Sequence, residues 1–387
     1  MTTPQLSHPM RRTIPSPAAV AITLSWTVFT LTPSFAVAET PETTVRPGKT
    51  SPEAMYRETP GVHTPADSPT TTVPADTAQL LFRAAASTGE GAIWHPGRRS
   101  LLWVDIEGKT LHEYVPTAFG KVSCGTGELM SGTKPAGSDT LRTVMTVPSV
   151  TRRWTFDRMV STVVPETDST VIVAVQNRVE RIDLNSDTRE VLARIDDRNG
   201  SVRTNDGKCD PQGRFWCGTS DLVKGEKRGK LYLLPGDGRC IEMLDRLEIS
   251  NGLGFAGDTL YFIDSARHSV DSYRLDEDTL TLHDHRVIAP IEGNMVPDGM
   301  TMDEEGMLWV CHWGGGFVGR YDPRDGRLLA RVEIPASQCS SCCFGGPDMQ
   351  TLFITCGAVN CPEESEAGKV FAVHLPYRGV ESWKYRG

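Results

Sequence analysis

The first 38 residues contain no aspartate or glutamate. Their one apolar stretch, from Ala18 to Phe29, is broken by Thr23, Ser25 and Thr27 and is too short to cross a bilayer, which argues against a retained membrane span. A basic excess is also missing: 40 Lys and Arg stand against 49 Asp and Glu, for a net charge of −9 and a pI near 5.6. The chain therefore lacks the electrostatic footprint of a nucleic-acid binder, and its sign suits a cation or a neutral small ligand. There is no G-x-S-x-G nucleophile elbow, no H-E-x-x-H, no Walker loop and no WD-type repeat signature. No C-x-x-C has a matching second pair, so a structural zinc site is not indicated.

What the leader does contain is ordered. Arg11 and Arg12 precede the apolar stretch, and Ala36-Val37-Ala38 follows it, the layout of a secretory signal with its cleavage site. Residues 1–38 are expected to be a signal or targeting peptide and the protein to be secreted or periplasmic. An organelle or the cytoplasm is the alternative, because the same Ser/Thr-rich, acid-free composition fits a transit peptide. Residues 39–78, rich in Thr, Pro, Ala and Glu without apolar periodicity, read as a disordered linker. The folded domain is expected over 79–387. All ten cysteines lie at or beyond Cys124; Cys217, Cys311 and Cys356 fall inside apolar strand cores and Cys342 is adjacent to Cys343. That spacing shows no disulfide framework and predicts buried free thiols, which are easier to keep in a reducing compartment.

Six short apolar strand cores recur along this domain: Trp103-Val104, Ile172-Val173, Trp216-Cys217, Phe262-Ile263, Trp309-Val310 and Phe353-Ile354. From the second to the sixth, the spacings are 44, 46, 47 and 44 residues. A fixed period of this length predicts an all-β, six-bladed β-propeller, each repeat one four-stranded blade stacked on its neighbours. A short stretch before each core would be the innermost strand, beside the central channel.

Eleven residues before the core aromatic of the third, fourth and fifth repeats stand Asn205, Asn251 and Asp298, each followed by Gly or Asp-Gly. Blades related by rotation about the channel hold equal register at equal height, so these side chains converge. Glu90, thirteen residues before Trp103, lies close to the same ring, whereas Ser161 and Cys342 leave the second and sixth repeats uncharged. The bland alternative is that Asn-Gly and Asp-Gly merely mark tight turns. Converging Glu, Asn and Asp oxygens without a balancing cation are costly to bury, which points to a bound divalent ion. An oxygen donor set favours calcium, with magnesium, manganese or zinc as alternatives. Arg203, two residues before Asn205, faces the same way and either contacts substrate oxygens or balances the acidic ring.

Two other features are read as structural. Gly314-Gly315-Gly316-Phe317-Val318-Gly319 matches G-x-G-x-x-G but links two strands with no helix to follow. His312, after the fifth strand core, is a lone histidine near the expected channel mouth.

Taken in order, Gly89-Glu90-Gly91-Ala92-Ile93-Trp94, Arg203-Thr204-Asn205-Asp206-Gly207-Lys208, Ser250-Asn251-Gly252-Leu253, Pro297-Asp298-Gly299-Met300 and Ser341-Cys342-Cys343-Phe344-Gly345-Gly346 resemble the regucalcin and gluconolactonase family over residues 86–387. The resemblance implies a six-bladed propeller with one divalent cation in its channel and hydrolysis of sugar-acid lactones. It implies Glu90, Asn251 and Asp298 as metal ligands, Arg203 and Asn205 as substrate contacts, and Asp298 also as general base. Two departures bear on substrate choice. The family's acidic contact after a Gly-Thr pair has no clean counterpart beyond Gly218-Thr219, where Asp221 is nearest and Glu226 more distant. The stretch from Pro116 to Thr140 is longer than a blade connection and could cover the channel mouth as a lid.

The expected activity is thus a metal-dependent lactonase: a cation polarises the carbonyl while Asp298 takes a proton from water. The alternatives are a calcium-binding protein without catalysis, a scaffold for protein partners and a phosphotriester hydrolase of the same site.

Overall fold

The six apolar cores all become the second strand of a four-stranded antiparallel blade, and six such blades, one of them with an added fifth strand, make up the fold. The computed structural model describes residues 75–116, 149–195, 200–223, 225–361 and 363–387. The expected targeting segment 1–38 and linker residues 39–74 lie outside them. Strand pairing begins at Ala75–Thr77, ahead of the boundary expected at 79.

The innermost strands run Gly89–His95, Val160–Pro165, Val202–Cys209, Ser250–Ala256, Val296–Met302 and Cys339–Gly345. Each is followed by the core strand, such as Ser100–Asp105 in the first blade and Leu308–Trp313 in the fifth. These core strands are buried on both faces because a blade is covered by a neighbour on either side. They therefore read as continuous apolar runs, without strict alternation. The apolar clusters follow this logic: Trp94 and Trp103 of the first blade pack with Trp309 of the fifth and Phe353 of the sixth. Trp94 and Phe353 stack with ring centroids 5.6 Å apart. Among the described residues regular structure is otherwise one 3-10 turn, Ser265–Arg267, and no helix is long and apolar enough to cross a membrane.

Closure uses both ends of the described domain. Gln79–Phe82 pairs antiparallel with Val370–His374 and forms the outer strand of the sixth blade, while Ala75–Thr77 runs parallel to Leu328–Glu333 as a fifth strand of the fifth blade. At the far end of the channel the C-terminal residues bond to one inner hairpin after another. Gly379 N donates to Met349 O, Val380 N to Met302 O, Tyr385 N to Pro165 O and Arg386 N to Gly213 O.

Two blades share a buried carboxylate that their sequences repeat. Asp303 accepts from the Trp309 indole (2.9 Å), the Arg320 guanidinium (2.7 Å) and the Met307 amide (2.9 Å). Asp210 accepts from Trp216 (2.9 Å) and Arg214 in the same way. The carboxylate ties the inner hairpin to the core tryptophan and leaves the guanidinium paired. The nine described cysteines are free thiols, seven of them buried, as the spacing predicts. Gly314–Gly316 is the turn between Leu308–Trp313 and Phe317–Tyr321, a strand-to-strand link as expected.

Asp303→Ala leaves the Trp309 indole without an acceptor and the buried Arg320, 5% exposed, with Glu305 as its remaining carboxylate. Chemical denaturation is expected to show a loss of about 3–5 kcal/mol, the cost of breaking a buried ion pair.

Candidate metal and substrate site

Every inner strand carries one extra residue where it faces the channel. Thr204 pairs with Thr219 but Gly207 with Cys217, Ser250 with Asp264 but Leu253 with Phe262, and Pro297 with His312 but Met300 with Val310. Similar slips fall between Glu90 and Ile93, Val160 and Thr162, and Cys339 and Ser341. A bulge bends its strand and re-aims the side chains inside it, and here Asn205, Asn251 and Asp298 sit within the bulge. The glycine that follows is a packing position and not a tight turn. A Cβ on Gly252 would lie 2.7 Å from Asp298 O, and one on Gly299 would lie 2.8 Å from Ser340 O, so each bulge abuts the next blade's inner strand.

Glu90, Arg203, Asn205, Asn251 and Asp298 all line one cavity of about 270 Å³. A relay of hydrogen bonds fixes its floor. Arg203 Nη1 donates to Asn205 Oδ1. Asn205 Nδ2 donates to Asn251 Oδ1 (2.8 Å) and to Ser250 O (2.8 Å). Asn251 Nδ2 then donates to Ser265 Oγ (2.8 Å), whose hydroxyl donates to Pro297 O (2.7 Å). Carboxylates at the ends of core strands hold the segments leading into the site: Asp105 accepts from the Thr88 amide (3.1 Å) and Asp264 from the Ile249 amide (2.9 Å).

The electrostatics are unbalanced. Burial pushes the Glu90 carboxyl well above its ordinary range, and Asp298 and Asp206 push it further. Asp298 is raised in the same way, by burial first, then by Asp206 and the Cys339 thiol. Arg203 opposes both shifts, although its own burial lowers its proton affinity. Asp298 Oδ1 is buried without a hydrogen-bond partner. Two buried carboxylates, one with an unpaired oxygen, beside an amide oxygen form a donor set that fits a hard divalent cation held by Glu90, Asn251 and Asp298.

Other expected positions fall elsewhere. Ser161 Oγ donates to Thr204 Oγ1 (2.9 Å) and does not line the cavity. Cys342 lines only a small recess deeper in the channel, beside Asp206 and Lys208. The uncharged side of the site is therefore not made by that pair. Asp221 is spent on Arg228 and the Val223 amide, which hold its own loop, and Glu226 is exposed outside the cavity. His312 is buried, stacked on Phe317 and bonded through Nε2 to the Tyr321 hydroxyl at 2.8 Å. Burial lowers its pKa to about 4, which makes it a neutral structural residue. Most of the expected lid, 117–140, lies outside the described residues. Its roots are the paired Pro116 and Ser149, at the His95 end of the first blade and remote from Glu90, so they give no support for a cover over the mouth.

The cavity also takes Glu107, Ser265 and Trp313, which the inner-strand register could not reveal. They follow the core aromatics Trp103, Phe262 and Trp309 by three or four residues, where the core strands exit at the same end: Trp313 is the last residue of its strand, and Glu107 and Ser265 lie just beyond theirs. Reading that second register would have found them.

A six-bladed propeller with an acidic, oxygen-lined site at one end of its channel defines the class. A family profile described as "SMP-30/Gluconolactonase/LRE-like region" matches residues 88–358, and the chain belongs to that family. Among its relatives, the regucalcin of Oryctolagus cuniculus is 31% identical over 313 residues, covering 77% of this chain and 95% of that protein. YvrE of Bacillus subtilis (strain 168), provisionally named a sugar lactone lactonase, is 27% identical over 310 residues, covering 78% and 96%. The solved structure of a regucalcin from Agrobacterium tumefaciens str. C58, described as a calcium-binding protein, superposes with a TM-score of 0.68 at 23% identity, covering 82% of this chain and 99% of that one.

Raised carboxylate pKa values in the folded state mean that the native protein holds these protons more tightly than the unfolded chain. With divalent ions removed, thermal stability is expected to fall as pH rises from about 4 toward 8, the window above the ordinary carboxylate values. Asp298→Asn should flatten that slope, read as melting temperature against pH.

Proposed function

We propose that the protein is a divalent-cation-dependent lactonase that opens sugar-acid lactones. The observation that carries this reading is the joining of two buried carboxylates, one with an unpaired oxygen, to Arg203 and Asn205 around one cavity of about 270 Å³. Membership of the gluconolactonase family and the name given to the Bacillus relative support the reaction class. Glu90, Asn251 and Asp298 would hold the ion, and calcium is the first choice for an all-oxygen donor set. When bound, it supplies charge that polarises the lactone carbonyl.

The rest belongs to the side chains. Asn205 is locked by its donors to Ser250 and Asn251, so its oxygen and the Arg203 guanidinium form a fixed edge against which the lactone ring is oriented. Arg203 faces the negative charge that builds on the carbonyl oxygen as water adds. Asp298 Oδ1 takes the proton from that water and returns it to the ring oxygen as the ester bond breaks, leaving a hydroxy acid. Burial, and then Asp206, keep the proton affinity of Asp298 high enough for that exchange. Asp298→Ala is expected to abolish hydrolysis, followed by proton release, and to weaken calcium binding in a titration; full activity would end the proposal.

The second reading, an ion-binding protein without catalysis, is favoured by the description of the Agrobacterium regucalcin as calcium-binding. Arg203 separates the two, because an ion site gains nothing from a cation beside it. Arg203→Ala should cut kcat by about 100-fold or more, in the range of a lost oxyanion donor, while calcium affinity holds or improves. Absence of turnover in the parent protein over a panel of sugar lactones with each divalent ion would favour the ion-binding reading.

A further inference from the structure

The walls of the cavity are sorted by chemistry around the ring. From the first and third blades come Thr88, Glu107 and Arg203; from the fourth, fifth and sixth come Ile249, Val296, Trp313 and Val359 above the ligand oxygens. These four apolar residues are only half-buried. A continuous arc of partly open apolar surface, beside a metal-type site, is costly unless a ligand covers it.

Trp313 is held in place. It forms a bridge with Gln338, and its indole packs so closely on Gly357 that a Cβ there would lie 2.6 Å from Cη2 of the ring. The side chain is thus a rigid platform with little rotamer entropy left to lose. On the opposite wall Glu107, exposed and electrostatically coupled to Arg203, offers an acceptor for hydroxyl donors. It stands in the cavity where Asp221 and Glu226 do not.

We propose that the site takes a two-faced lactone: its ester at the floor, a hydroxylated edge toward Glu107 and Thr88, and an apolar arm or ring face laid on Trp313 with Ile249, Val296 and Val359. A lactone hydroxylated on every side would press hydroxyls against the apolar arc with no partner for them. Trp313 is then the specificity-determining residue, and Gly357 positions it. This inference rests on the lactonase reading and narrows its substrate class.

The test compares δ-gluconolactone with δ-octalactone, which carries an alkyl arm, in the calcium-loaded protein. In Trp313→Ala the ratio of kcat/KM, alkyl over hydroxylated, is expected to fall by about 10- to 100-fold, the scale of a buried tryptophan anchor. Gly357→Ala should lower the same ratio with the indole still present, and Glu107→Gln should raise it. Unaltered calcium affinity and a cooperative melt check that each variant is folded. An unchanged ratio in Trp313→Ala overturns the proposal. If the parent protein hydrolyses neither lactone with any divalent ion, the lactonase reading fails by itself. Calorimetry with the two matching δ-lactams then decides the inference: tighter binding of the alkyl lactam, lost in Trp313→Ala, upholds it, and equal binding of the pair overturns it.

Discussion

One extra residue in each inner strand is the constraint from which the site follows. Without the bulge, strict alternation would send Asn205, Asn251 and Asp298 to the faces that pack against neighbouring blades. With it, the chain gains a step at the same height in every blade, and side chains that belong to four different sheets meet over the channel. The glycines after these residues are the steric counterpart: Gly252 and Gly299 press on the backbone of the next blade, and Gly207 on Trp216 O of its own core strand. Ring geometry and site geometry are therefore one problem, solved by the same residues.

The concentration of charge at that height has its own logic. Glu90, Asp206 and Asp298 repel one another in a buried space where Arg203 opposes the first and last and Lys208 opposes Asp206, yet burial leaves all three carboxyls raised, so the fold is built around a place that it does not fully neutralise. The remainder of the domain makes up the difference. Core strands buried on both faces and the carboxylate ties of Asp210 and Asp303 give the scaffold stability that is independent of the channel. Functional sites are commonly the places where local consistency is relaxed in this way.

Much of this was legible in the sequence. The repeat of apolar cores specified six blades because each blade needs a strand covered on both sides, and equal register brought Asn205, Asn251 and Asp298 to one height because the blades are related by rotation. Glu90, off that register by two residues, still joins them. What failed has a physical reason. Ser161 and Cys342 share the register without sharing the cavity, since a bulge redirects side chains by its local geometry and not by position in the repeat. Asp221 was drawn into its own loop by Arg228, a partner seven residues away that a motif search does not weigh. Trp313 and Glu107 lie where the core strands end, beyond the reach of the inner-strand register. The long stretch after Pro116 lies outside the described residues, and its paired roots at the His95 end of the first blade lend no support to a cover.

The antiparallel addition of Gln79–Phe82 to the last blade has an implication for how the protein is made. A ribosome delivers that strand ahead of the six inner strands and its partner, Val370–His374, after all of them, so the sixth sheet stays incomplete until that partner is made. Until then the chain carries two unpaired strand edges, which are sticky surfaces in a crowded compartment. Completion is then a single late event in which the two edges annul each other, followed by the C-terminal residues fastening the inner hairpins. A propeller closed in this manner depends on Gln79–Phe82 and Val370–His374 reaching each other, and loss of either strand would leave the sixth sheet with an open edge.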